Sequence, residues 1–159
     1  MAKTVYIETS VVSYYAGRGS RDVIVAGRQE STKALWALLG DELSPVVSGL
    51  VVIEAGKGDP EVAARRLDAI SRFPVLPTTE SAEQLARSIV GDGGIPAEFP
   101  EDALHVAVAA LGGMDCIATW NFTHINNPFT VMMIRRSVEN HGYNCPEVVA
   151  PDAFLGEDQ

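Results

Sequence analysis

VYIETSVVSYY, residues 5–15, holds three strand-forming residues, then a glutamate, then Thr9 and Ser10, which suit a helix start. Val, Tyr and Ile in sequence favour a strand buried on both faces, where no polar alternation is expected. A carboxylate closing such a strand is costly to bury and needs a partner. The stretch therefore predicts a strand over 4–8 that runs directly into a helix over about 9–16, with Glu8 as the last strand residue. In a parallel sheet the crevice beyond the carboxyl ends of the strands is where ligands bind, and Glu8 would point into it.

Working outward, the same grammar repeats. Short apolar runs at 45–48, 74–77, 115–119 and 147–150 are rich in Val and Ile and bounded by Pro, Gly or Ser, as buried strands are. Helical patterns lie between them, at roughly 21–39 after the Gly17-Arg18-Gly19-Ser20 turn, and at roughly 49–57, 60–72, 80–90, 101–112 and 128–141. Asp59-Pro60 and Phe99-Pro100-Glu101 place proline in a first helical turn, while Gly91 and Gly142 stand where helices should stop. Strands alternating with helices imply an α/β fold, a mainly parallel sheet covered on both faces. No internal repeat, low-complexity tract or long linker divides the 159 residues, and a single domain over 1–159 is expected.

Composition narrows the class. At 47% hydrophobic residues the chain has material for a core, which excludes a disordered protein. No apolar run is long enough to span a bilayer and no signal peptide is evident, so a cytosolic protein with no membrane partner is expected. Cys116 and Cys145 match neither a disulfide framework nor a zinc ladder and read as ordinary thiols. Net charge is −9, yet residues 1–40 carry five basic side chains against three acidic, whereas 41–159 carry seven against eighteen. Such a balance argues against non-specific coating of nucleic acid, which needs clustered Lys and Arg. A nuclease with an acidic, metal-neutralised pocket stays compatible with it.

Three further positions give Glu8 company. In SGLVVIEA, 48–55, the helix opened by Ser48 sets Glu54 on one side with Leu50 and Val51, so a lone carboxylate sits on an otherwise apolar stripe. Such a group rises in pKa, finds a cation or binds metal, and a salt bridge to Arg65 or Arg66 is the plainer alternative. EDALHVAVAA, 101–110, is apolar enough to be a core helix with its acids in the first turn. Helix capping accounts for one of them; Asp102 shares its face with Val106 and Ala109 and is the site candidate. His105 fits a packed, hydrogen-bonded core histidine better than a ligand, because three histidines make no zinc spacing. Finally the strand Cys116–Ala118 leads into Thr119-Trp120-Asn121, where Asn121 offers a carbonyl oxygen or simple turn chemistry, with His124 one turn on.

Taken together, VYIETSVVSYY, SGLVVIEA, EDALHVAVAA and IATWN resemble the PIN domain, and among PIN domains the VapC-like toxin ribonucleases of toxin–antitoxin systems. The motifs fall in family order from Val5 to about Pro151. What the resemblance implies is a three-layer α/β/α sandwich around an about five-stranded parallel sheet and a Mg2+- or Mn2+-dependent endoribonuclease acting on RNA. It also implies a homodimer and a small VapB-like antitoxin as partner. The family's acidic positions fall on Glu8, Glu54 and Asp102 as metal ligands, with Asn121 as fourth catalytic position. Two depart from the commonest pattern: Glu8 replaces aspartate, adding a methylene, and Asn121 replaces aspartate, removing a charge.

Magnesium is typically held by one or two carboxylates plus phosphate oxygens, so three carboxylates suffice for one ion, and a second would arrive with substrate. Thr9 and Ser10 would offer hydroxyl or N–H groups to phosphate or else cap the helix. Arg18, Arg21, Arg28 and His124 are the expected RNA contacts. Two rival classes remain: a catalytically inactive PIN-like module binding RNA or protein, and a small-molecule enzyme on a doubly wound fold. The second has no G-x-G-x-x-G or P-loop sequence to support it, and GDGG at 91–94 follows a helix, where a cap explains it.

Overall fold

In a computed structural model, which describes residues 2–156, five strands form one sheet in the order β3-β2-β1-β4-β5, every neighbouring pair parallel. The strands are β1 (Lys3–Ile7), β2 (Leu43–Ser48), β3 (Val75–Leu76), β4 (Cys116–Ala118) and β5 (Glu147–Val149). Between them run α1 (Thr9–Ala16), α2 (Val23–Leu38), α3 (Gly49–Ala55), α4 (Pro60–Ala69), α5 (Glu80–Gly91), α6 (Pro100–Leu111) and α7 (Val131–Asn140), and a 3-10 turn at Pro151–Phe154 follows β5. The α/β expectation holds. Helices α1 to α4 pack among themselves, and α5 packs on α6 and α7, giving a helical layer to each face of the sheet.

β1 is central because its side chains can be. Val5, Tyr6 and Ile7 are fully buried, flanked by β2 on one side and β4 on the other. From β1 the chain builds outward to β2 and β3, then returns to place β4 and β5 on the opposite side. The strand order reverses between β1 and β4, and in parallel sheets the carboxyl ends of the strands at such a switch point are where ligands bind.

Boundaries differ from the sequence expectation where capping chemistry decides them. β1 ends at Ile7, not Glu8: the Glu8 carboxylate accepts from the Ser10 N–H and caps α1, although the Glu8 N–H still donates to the Ala118 carbonyl at 3.1 Å. Thr9 and Ser10 are accordingly not the cap. α2 starts at Val23 because Asp22 caps it through the Val25 N–H. α7 starts three residues later than expected, since the Asn127 carbonyl takes the Thr130 and Val131 N–H groups in a turn of its own. The prolines behave as expected, Pro60 and Pro100 both lying in a first turn. α6 is the core helix, with seven of its twelve residues buried.

The loop from α5 to α6 depends on a close approach. A Cβ on Gly94 would stand 2.9 Å from Ile134 Cγ1, 3.2 Å from Ile89 Cγ2 and 3.3 Å from the Ile134 nitrogen, all in packed surroundings. Gly94→Ala should overpack this contact and lower stability by about 1–3 kcal/mol. Urea unfolding of the variant checks this, with a reduced midpoint at unchanged m-value expected.

Candidate active site at the switch point

Glu8 follows the carboxyl end of β1 at the switch point and is only 5% exposed. Its burial is compensated by three donors. Oε1 accepts from the hydroxyls of Ser10 and Thr119, each at 2.5 Å, and Oε2 accepts from the Ser10 N–H at 2.9 Å. Ser10 Oγ in turn accepts from the Trp120 N–H at 2.9 Å. These bonds lock the start of α1 to the chain leaving β4, so the carboxylate spans the switch point.

Glu54 meets His105, not Arg65 or Arg66. His105 Nε2–H donates to Glu54 Oε1 at 2.6 Å, and the Thr9 hydroxyl donates to the same oxygen at 2.6 Å. Arg66 is instead bonded to the carbonyls of Ala55 and Lys57. His105 is 1% exposed, and its Nδ1 lies 2.7 Å from the Tyr6 hydroxyl, itself 2.8 Å from Ser48 Oγ. Ser48 also caps α3, accepting from the Val51 N–H at 3.2 Å. One polar line therefore runs from the end of β2 through β1 and α6 to the site. His105 is the buried, hydrogen-bonded histidine expected from the sequence, and it also holds a site carboxylate.

Asp102 is held by the second histidine, His124, whose Nδ1–H donates to Oδ2 at 2.9 Å. Asn121 acts in the turn rather than as a free ligand: its Oδ1 accepts from the His124 N–H at 3.0 Å, and its N–H donates to Thr119 Oγ1 at 2.9 Å. The 119–124 segment thus bridges Glu8 at one end and Asp102 at the other. Of the expected RNA contacts, Arg18 faces Asp59 and Glu61 at 3.8 and 3.6 Å, and Arg21 is exposed on the way into α2. Arg28 has no carboxylate partner among the described residues and donates to the Tyr14 hydroxyl at 3.0 Å.

The electrostatics follow from this geometry. Burial disfavours the His105 cation, but the Glu54 hydrogen bond and the charges of Glu8, Glu54 and Asp102 outweigh it and raise its pKa above the ordinary 6.5. Burial likewise pushes the Glu54 carboxyl up, and the His105 bond and charge, aided by Thr9 and Lys57, reverse this and leave it below the ordinary 4.5. The Tyr6 phenol is pushed up, by burial first and then by Glu8 and Glu54, so it stays neutral. The contacts that link the three acids are indirect: Thr9, next to Glu8, and His105, one helical turn from Asp102, both donate to Glu54 Oε1.

Tyr6 and Thr119 were not singled out in the sequence. A phenol in the middle of an apolar strand is a usable signal, because a buried hydroxyl needs a partner. Thr119 had none beyond its place at a strand end.

The path of the chain is shared with a solved structure. A chain of the crystal structure of VapBC2 from Rickettsia felis bound to a DNA fragment from their promoter matches with a TM-score of 0.59, over 92% of this chain and 98% of that one, at 13% identity. The chain has a PIN-like fold. No protein-family model matches the sequence, and no curated protein does. Within the PIN-like fold, likeness at this identity speaks for the backbone, and the side chains must be argued on their own contacts.

By donor type, Glu54 and Asp102 are the residues that could hold a hard divalent cation. The histidines use Glu54 Oε1 and Asp102 Oδ2, leaving Glu54 Oε2 and Asp102 Oδ1 without protein donors among the described residues. Two carboxylate oxygens with water and phosphate are a usual magnesium set. Among the described residues, no three His, Cys, Asp or Glu side chains are already grouped at a spacing that could hold an ion.

The Glu54–His105 pair sets a pH window. The lowered Glu54 pKa contributes stability above the unfolded value near 4.5 and loses it as pH falls through the folded one. The raised His105 pKa contributes below the unfolded value near 6.5 and loses it as pH rises through the folded one. With chelator present, the gap in urea midpoint between wild type and His105→Gln should be widest between these two values and narrow on both sides.

Proposed function

We propose that the chain is a metal-dependent endoribonuclease, a VapC-like toxin restrained by a small VapB-like antitoxin and working as a homodimer. The observation that carries this reading is that Glu54 and Asp102 are each held through one oxygen by a histidine, with Thr9, the neighbour of Glu8, on the same Glu54 oxygen, beside the switch point of a PIN-like sheet. The VapBC2 likeness supports the choice of family and partner. The expected metal is Mg2+ or Mn2+, held by Glu54 and Asp102 with Glu8 beside them. When bound, such an ion supplies charge neutralisation at the scissile phosphate and acidifies water for in-line attack.

The chain's own residues have separate tasks in this reading. His105 and Thr9 fix one oxygen of Glu54 and so aim the other; His124 does the same for Asp102. Ser10 and Thr119 hold Glu8 in place, so Thr9 and Ser10 serve the carboxylates before any phosphate. Asn121 holds the turn that presents His124. Arg28 is the best placed of the three arginines to meet RNA, since Arg18 already faces two acids.

A second reading, a binding module without catalysis, is favoured by one observation: all three donors around Glu8 come from the protein, and Glu54 is already paired. Calorimetric titration of Mg2+ or Mn2+ separates the two. The nuclease reading expects weak binding that Glu54→Gln abolishes and that His124→Ala weakens roughly 10- to 100-fold, the usual effect of losing an outer partner of a ligand. It also expects RNA cleavage that stops with chelator and in Asp102→Asn. Heat-silent titrations together with intact RNA would leave the binding module.

A further inference from the structure

Arg28, proposed above to meet RNA, stands in an aromatic cluster that the carboxylates do not touch. The Arg28 guanidinium carbon lies 5.7 Å from the centre of the Tyr14 ring, 5.4 Å from Trp120 and 5.3 Å from Phe122. These distances are those of cation–π contacts. Arg28 is also anchored through its backbone: its carbonyl accepts from Thr32 Oγ1 at 2.6 Å, and that oxygen accepts from the Trp120 indole N–H at 2.9 Å. Only one guanidinium N–H finds a protein acceptor among the described residues, the Tyr14 hydroxyl. A half-buried, rigidly held cation with spare donors and no carboxylate partner is prepared for an external anion.

Phe122 faces outward. Its ring is 6.1 Å from that of Trp120, and the residue is 42% exposed although it belongs to the segment that bridges Glu8 and Asp102. The Phe122 N–H is tied to the Trp120 carbonyl at 3.0 Å, and Trp120 is tied to Ser10, so the exposed ring has a fixed base. An apolar protein partner laid over Phe122 would cover the remaining Arg28 N–H groups without acceptors, which is costly. A nucleotide brings a flat π surface and phosphate oxygens together.

We infer that Phe122 and Arg28 form a subsite for one unpaired nucleotide of the RNA, its base stacked on the Phe122 ring and its phosphate held by the Arg28 guanidinium. The inference rests on the ribonuclease reading for the identity of the polymer and adds to it the two residues that would hold one nucleotide. A base within a duplex cannot offer its face to a side chain, so the subsite selects loops and single strands.

The test is fluorescence anisotropy with a short labelled single-stranded oligoribonucleotide and with the duplex of the same sequence, in chelator, using the whole chain. Phe122→Ala should weaken single-strand binding roughly 5- to 150-fold, the loss expected of one base–aromatic stack. Phe122→Tyr should restore it, and duplex binding should not change. Arg28→Gln should flatten the salt dependence for the single strand by roughly 0.7 in slope, one phosphate contact. Wild-type binding that Phe122→Ala leaves intact would overturn the subsite while the nuclease proposal stood, as would equal losses for single strand and duplex. Wild type that neither binds nor cleaves RNA would overturn both.

Discussion

The contact between His105 and Glu54 organises the site. It joins a nearly water-free imidazole on α6 to a carboxylate on α3, and the far side of the ring reaches Tyr6 on β1 and, through it, Ser48 at the end of β2. Four elements are therefore registered by one polar line through an otherwise apolar core. Carboxylates taken partly or wholly out of water, as Glu8, Glu54 and Asp102 are, are costly without compensation. A histidine biased towards its cation, with hydroxyls from Thr9, Ser10 and Thr119, supplies it.

That compensation shapes what the site can do. Each histidine occupies one oxygen of its carboxylate and leaves the other without a protein donor among the described residues, so the contacts that make the acids tolerable also orient them. Glu8 differs, because both of its oxygens take donors from the protein. Its longer side chain, compared with an aspartate, lets one residue cap α1 and still reach Thr119 across the switch point. Local structure and site chemistry here share the same atoms.

The acidic character of the chain and its proposed substrate are reconciled by position. The first forty residues carry five of the twelve basic side chains, and among these Arg28 is set apart by its aromatic surroundings. Aromatic rings hold its guanidinium where an acid would have neutralised it, as Asp59 and Glu61 do for Arg18. A cation kept free in this way is of use at the rim of an acidic pocket, where it can meet phosphate without competing for the carboxylates.

Much of this was legible in the residues themselves. Buried parallel strands are continuous apolar runs, so all five were found, and the proline and glycine positions marked helix ends because they act through local dihedral angles. Glu8, Glu54 and Asp102 stood out because an acid on an apolar face must be compensated. What the compensation would be was not legible: Glu54 takes His105, 51 residues away, over the nearby Arg65 and Arg66, and Glu8 takes Thr119, 111 residues away. The sequence by itself determined the strand and helix order and the presence of uncompensated acids, since both follow from local periodicity and the cost of burying charge. Only the tertiary structure decided which donors meet which oxygens and which arginine lies against aromatic rings, because those pairings depend on the reversal of strand order between β1 and β4, which brings distant segments within hydrogen-bonding reach.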